Sequence, residues 1–299
     1  MIPAEALALA AACCLALSGM FYAELKGQVS IVALTRWQTV TAFLLTSSIA
    51  TLDNGWSGLT LWHLRGLAGS GLFAIIIASS ALNASIFSLG ARRSALVFSL
   101  NAPLTTILGY FVLGESLPLM KLAGIALVVV GIVLAILFVR SDRSIVVDPS
   151  THVPALPVSI GLVLGVVAAF GQAIGTLFAR PVMASGIDPF AGMAIRAGTA
   201  AVFFTLLPIL PIPWLSRRQA SWKQFLIGIT GACIGIGFGM SLLMAALVSG
   251  KAGVVSTLSS LVPILVLPMI WVRTGQPPPG LAWLGAAVAV SGTALLALG

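Results

Sequence analysis

Long apolar runs separated by short polar punctuation make up this chain from end to end. Such runs recur at 4–23, 30–51, 66–88, 93–113, 119–139, 157–178, 188–210, 224–248, 252–272 and 281–298. Each approaches the roughly 20 residues a helix needs to cross a bilayer core. Backbone in hydrocarbon must satisfy its own hydrogen bonds, so these runs predict helices rather than loops. The expected fold class is all-α integral membrane, with ten transmembrane helices. The longest polar break, Arg140 to Pro157, holds three prolines, charges of both signs and one of the two histidines, and reads as a linker.

The ten runs are five written twice. Shifting the numbering by 160 lays Arg36 on Arg196, Phe43 on Phe203, Trp62 on Trp222, Gly71 on Gly231, Leu82 on Leu242, Gly90 on Gly250, Pro103 on Pro263 and Pro118 on Pro278. A shift of 161 then lays Gly124 on Gly285 and Gly131 on Gly292. Repeats of this kind announce one unit used more than once. The expected organisation is a first five-helix repeat over 1–139, a linker over 140–156 and a second repeat over 157–299. Five crossings per copy is an odd number, so the copies must enter the membrane in opposite senses. That inverted repeat is an architecture of secondary transporters, with the substrate site near the midplane where the halves meet.

Composition agrees. Of 299 residues, 59% are hydrophobic and 7% charged, against about a quarter charged in soluble domains. The net charge of +8 does not point to nucleic acid, because the Lys and Arg stand singly or in pairs between apolar runs rather than along one face. Loops after the odd-numbered helices carry nine of them, Lys26, Arg92, Arg93, Arg140, Arg143, Arg217, Arg218, Lys223 and Arg273, against Arg65, Lys121, Arg180 and Lys251 on the other face. By the positive-inside rule this puts the odd loops in the cytoplasm and both termini outside. The first run lacks a basic n-region and a small-residue cleavage site, so it is expected to remain as the first mature helix. Cys13, Cys14 and Cys233 lie inside apolar runs as small packing residues, and no metal or cofactor is expected.

All seven carboxylates, Glu5, Glu24, Asp53, Glu115, Asp142, Asp148 and Asp188, fall at helix ends or in loops. A proton-coupled exporter of hydrophobic cations needs a buried carboxylate, so a neutral or zwitterionic solute is favoured. Arg36 and Arg196, repeat mates inside helices 2 and 7, read either as an anion site or as snorkelling anchors; their placement toward opposite faces suits the anchor. Pro103 and Pro263, at matched positions of helices 4 and 9, point to a hinge or central site.

Uncharged polar groups gather near those prolines. Asn101 and Thr105 share one helical face, as do Ser79 and Asn83, and an asparagine in hydrocarbon must turn toward another helix or toward water. The candidate substrate-binding set is Asn101, Ser99, Asn83, Ser79, Thr257 and Ser260, with Met244, Phe98 and Phe170 as apolar surface and Gln172 and Tyr22 as further contacts. Interhelical packing is the competing role for the polar members. Gly231, Gly235 and Gly239 read as a packing stripe or as room for substrate. His63 and His152 lie in loops and no H-E-x-x-H or nucleophile elbow occurs, so no enzyme is expected.

The helix bearing L-N-A-P-L, the following V-L-G-E-S-L from Val112 to Leu117, the paired Gly124 and Gly131, and the arginine-bearing A-L-T-R-W and A-I-R-A segments resemble the repeat of the drug/metabolite transporter superfamily in its ten-helix, EamA-like form. Within it the chain is similar to aromatic amino acid exporters of the YddG type. That resemblance implies a multi-pass inner-membrane exporter of amino acids, working as a monomer in the lipid bilayer. It also implies helices 1, 3, 4, 6, 8 and 9 around a central cavity, helices 5 and 10 behind them, and both termini in the cytoplasm, against the charge count. The second copy departs where Gly114-Glu115 becomes Thr274-Gly275, so any role of Glu115 belongs to one half. Alternatives are a nucleotide-sugar or organophosphate carrier, which would show Arg36 or Arg196 in the cavity, a cationic-drug carrier, and a non-transport membrane protein.

Overall fold

A computed structural model describes residues 4–113, 118–137, 157–207, 220–249, 258–259, 261–275, 277 and 279–298. Among these residues every regular element is helical. The first half comprises α1 (Ala4–Glu24), α2 (Ile31–Leu52), α3 (Leu61–Ser70), a π segment (Gly71–Ile77), α4 (Ala78–Leu89), α5 (Ala91–Phe98), α6 (Asn101–Leu113) and α7 (Leu119–Leu137). The second comprises α8 (Val158–Ala184), α9 (Pro189–Leu206), α10 (Trp222–Ala232), a π segment (Cys233–Gly239), α11 (Met240–Ser249), α12 (Val262–Thr274) and α13 (Gly280–Leu298).

Local chemistry sets the ends. Ser30 caps α2 by accepting from Ala33 N, and Asp188 caps α9 from Ala191 N with Pro189 next to it. Thr60 with His63, and Ser221 with Gln224, form capping boxes that satisfy the first free N–H groups of α3 and α10. Gly90 at φ 84° separates α4 from α5, in a backbone conformation that side chains disfavour.

Six stretches are long and apolar enough to cross a membrane: Ala6–Glu24, Leu61–Leu89, Ala91–Val112, Val158–Ala184, Pro189–Leu206 and Trp222–Ala246. Shorter apolar helical stretches are Leu122–Gly131, Ile264–Arg273 and Trp283–Gly292. The expected second span, now α2, is 22 residues long but is not among the six. Its Thr35, Arg36, Gln38, Thr39 and Thr46 dilute an otherwise apolar run, and most of them are buried against other helices rather than turned to lipid.

Two departures from regular helix shape the interior. Each half carries one π segment, Gly71–Ile77 or Cys233–Gly239, in the third long helix of that half. A π turn takes in an extra residue, and at about 100° per residue it re-aims everything downstream, here α4 and α11. The second departure is at the matched prolines. Helix 4 is interrupted at Ser99 and Leu100, and Pro103 sits in the first turn of α6. Pro263 likewise sits in the first turn of α12. Both prolines therefore begin a helix rather than bend one from inside, since the first turn is where a missing N–H costs least.

Packing pairs the elements that the 160-residue register pairs. Helix α2 lies against α9, and α7 lies lengthwise against α13. In the latter seam a Cβ on Gly292 would stand 2.6 Å from Val128 N and 2.7 Å from Gly124 O, while one on Gly131 would stand 2.7 Å from Gly285 O and press on Ala289 N. Glycine is required at both positions because the obstacle is backbone. Among the described residues none of α7 or α13 lines the cavity.

Candidate functional site

A cavity of about 160 Å³ lies between α1, α2, α4, α5, α6, α8, α11 and α12. Its lining runs from Tyr22 in the last turn of α1 and Ala91 at the start of α5 to Thr105, Thr176 and Met244 on α6, α8 and α11. Met244 belongs as well to a buried apolar cluster with Leu67, Ala179, Val182, Met183 and Ile187, which plugs that end of the cavity. For comparison, an engineered apolar cavity of ~150 Å³ admits one benzene ring.

One wall is a buried amide pair. Asn83 Nδ2 donates to Gln38 Oε1 at 2.8 Å and to Thr35 Oγ1 at 3.1 Å, and Gln38 Nε2 donates back to Asn83 Oδ1 at 3.3 Å. Gln38 and Thr35 are fully buried and Asn83 is 3% exposed. Tyr22 completes this wall, its buried hydroxyl lying beside Gln38 and Ser18.

The opposite wall is the interruption of helix 4. Because Pro103 has no N–H, the Ser99 carbonyl accepts instead from Ala102 N at 3.3 Å. Asn101 Nδ2 then donates to Phe98 O at 3.0 Å, and Ser99 Oγ to Leu96 O at 2.6 Å. Asn101 and Ser99 line the cavity while holding the broken end together.

Of the residues expected from the sequence, Asn101, Ser99, Asn83, Ser79, Met244, Phe98, Gln172 and Tyr22 come together around the cavity. Phe170 does not. It is 44% exposed and outside the lining, because its position on α8 faces away from Gln172. Thr257 and Ser260 lie outside the described residues, as do Glu115 and the linker 140–156. Sequence reasoning missed Gln38 and Thr35. The signal was present, since Thr35, Gln38 and Thr39 recur at helical spacing in a membrane span, but Arg36 drew the attention.

Two further expectations need correction. The helix 8 glycines do not leave room for substrate: Cβ atoms there would strike Tyr22 at Gly231, Ser18 at Gly235 and Cys14 at Gly239. They let α1 approach closely. Arg196 is no snorkelling anchor, being 0% exposed. Its Nη1 donates toward Met244 Sδ at 3.2 Å, because α9 is enclosed by α2, α3, α11 and the first π segment. Among the described residues no charged side chain lines the cavity.

At the mouth, Arg273 Nη2 pairs with Glu24 Oε1 at 2.7 Å, joining α12 to α1. Lys26 Nζ donates to Ser88 O at 3.3 Å, and partial burial holds its pKa below the usual lysine value.

The EamA-like transporter family matches residues 2–137 and again 159–298. A relative from Salmonella typhimurium, a probable amino-acid metabolite efflux pump, is 29% identical over 223 residues, 69% of this chain and 67% of its own length. A crystal structure described only as that of a protein superposes with a TM-score of 0.68 at 17% identity, covering 99% of this chain and 95% of that one. That likeness shows a shared fold alone. None of these three names an aromatic amino acid exporter.

Proposed function

Because the chain belongs to the EamA-like transporter family, as a multi-pass protein of the inner membrane, we propose that it exports amino acids or related small metabolites by alternating access. Ten helices in two inverted five-helix halves, 1–139 and 157–299, enclose the pathway, and neutral or aromatic amino acids are its substrates. The observation that carries the reading is the cavity itself: small, lined by amides, hydroxyls and apolar surface, with no formal charge among its described lining residues. A zwitterion is met there by Asn101, Ser99, Asn83, Gln172 and the Tyr22 hydroxyl, and its apolar part by Phe98, Leu243 and Met244. The Salmonella relative's name supports the substrate class.

Alternating access requires a second state in which the Met244 plug parts and the mouth closes. The hinges are at Pro103, where helix 4 is interrupted, and at Pro263 in the first turn of α12, since a helix already broken bends without losing further hydrogen bonds. Phosphate carriers are disfavoured because neither Arg36 nor Arg196 lines the cavity. Purified protein in liposomes is expected to exchange labelled phenylalanine, tyrosine or leucine against an unlabelled internal pool. Absence of counterflow across a panel of all the common amino acids would overturn the reading.

A further inference from the structure

Arg196 is the largest fully buried side chain of the described residues. A cation in the middle of a membrane helix is costly, and by default marks a functional site. Here its Nη1 meets only the thioether of Met244, a weak acceptor. Its Nε and Nη2 are buried with no hydrogen-bond partner among the described residues. Those two nitrogens form one edge of the guanidinium, the edge that receives a carboxylate side-on through two parallel N–H···O bonds. No counter-ion on its own helix fills that role. Asp188 is about 12 Å away along α9 by helical rise, and its Oδ1 already caps the helix by accepting from Ala191 N.

Position gives the cation its use. Met244 lines the cavity and its thioether accepts from Arg196 Nη1, so one flexible side chain stands between the chamber and a cation whose Nε and Nη2 have no partner among the described residues. The repeat mates do not reproduce this. Arg36 corresponds to Arg196, but Ala84 stands where the second half has Met244. The arrangement is therefore single and off the pseudo-symmetry.

We propose that Arg196 binds the carboxylate of the transported solute once the Met244 side chain swings aside, drawing it toward the plugged end. The inference rests on the reading of the chain as an exporter of amino acids, and it assigns the group that recognises their acidic end. It also accounts for a chamber that has no formal charge of its own: the cation is held back until the solute has reached Met244.

The test uses the full-length protein in detergent, with thermal stabilisation by phenylalanine, phenylacetate and phenylalaninamide as the readout, and phenylalanine counterflow in liposomes beside it. The wild type is expected to be stabilised by the two carboxylates more than by the amide. R196M should lose that preference, with apparent affinity for the carboxylates weakened about tenfold or more, the loss of one charge-assisted interaction, while binding of the amide is unchanged. M244A keeps the arginine and removes its cover, and should bind phenylacetate more tightly. A folded R196M with the wild-type ratio of carboxylate to amide binding overturns the proposal, as does a wild type that no carboxylate stabilises. Should R196M fail to fold, M244A decides: tighter phenylacetate binding supports the assignment and unchanged binding overturns it. Carboxylate stabilisation that depends on Arg196 in a protein without counterflow would sink the transport reading and leave the anion site standing.

Discussion

Gln38 of α2 and Asn83 of α4 exchange two amide hydrogen bonds, at 2.8 and 3.3 Å, inside a helical membrane protein. Their repeat mates are Gly198 and Leu243, so this polar wall exists in one half only. Leaving one amide without its partner costs about 1–3 kcal/mol, more than the pair contributes net. N83L alone is therefore expected to lower the melting temperature of the detergent-solubilised protein more than Q38L and N83L together. A double variant whose loss is the sum of the two singles would refute this coupling.

Asn101 is expected to bear on both stability and transport. Its Nδ2 holds Phe98 O at 3.0 Å across the helix interruption, and it lines the cavity. N101L is expected to reduce amino acid counterflow about tenfold, the worth of one hydrogen bond lost from a partly buried site. Counterflow at the wild-type rate in N101L liposomes would remove Asn101 from the substrate site.

The seam between α7 and α13 tolerates no side chain at its crossing points. G292V puts a Cβ 2.6 Å from Val128 N, and backbone in a long helix pair cannot yield locally, so a loss of about 1–3 kcal/mol is expected. G280A, at a position with nothing within 4 Å, should melt with the wild type. Equal melting curves for G292V and G280A would show that the seam is looser than described.

Glu24 and Arg273 form an ion pair whose side chains are 35% and 43% exposed. Solvent screens a pair of this kind to about 0–1 kcal/mol. E24Q is expected to change the melting temperature hardly at all, at low or high salt. A large loss of stability, abolished by added salt, would mean that the mouth depends on this pair.

Much of the site was legible because a polar residue in hydrocarbon has few places to go. Asn83, Asn101, Ser79, Ser99 and Gln172 were identified by residue type and spacing, and each lines the cavity. Phe170 misled for the opposite reason: a phenylalanine is at home facing lipid or solute, so its type carries no direction. Arg196 looked like an anchor because its distance along the helix from the membrane edge is all that sequence offers. Only the enclosure by α2, α3, α11 and the first π segment shows that it cannot reach water.

By itself the sequence determined that this is a membrane protein of apolar helices, that one unit is written twice, and that every carboxylate stands at a helix end or in a loop, because these follow from composition and register alone. Which polar groups meet was decided by the tertiary structure. Two π segments and the interruption of helix 4 rotate the stretches beyond them, and a turn of about 100° settles whether Asn83 faces Gln38, whether Met244 lines the cavity, and whether Arg196 lies against Met244.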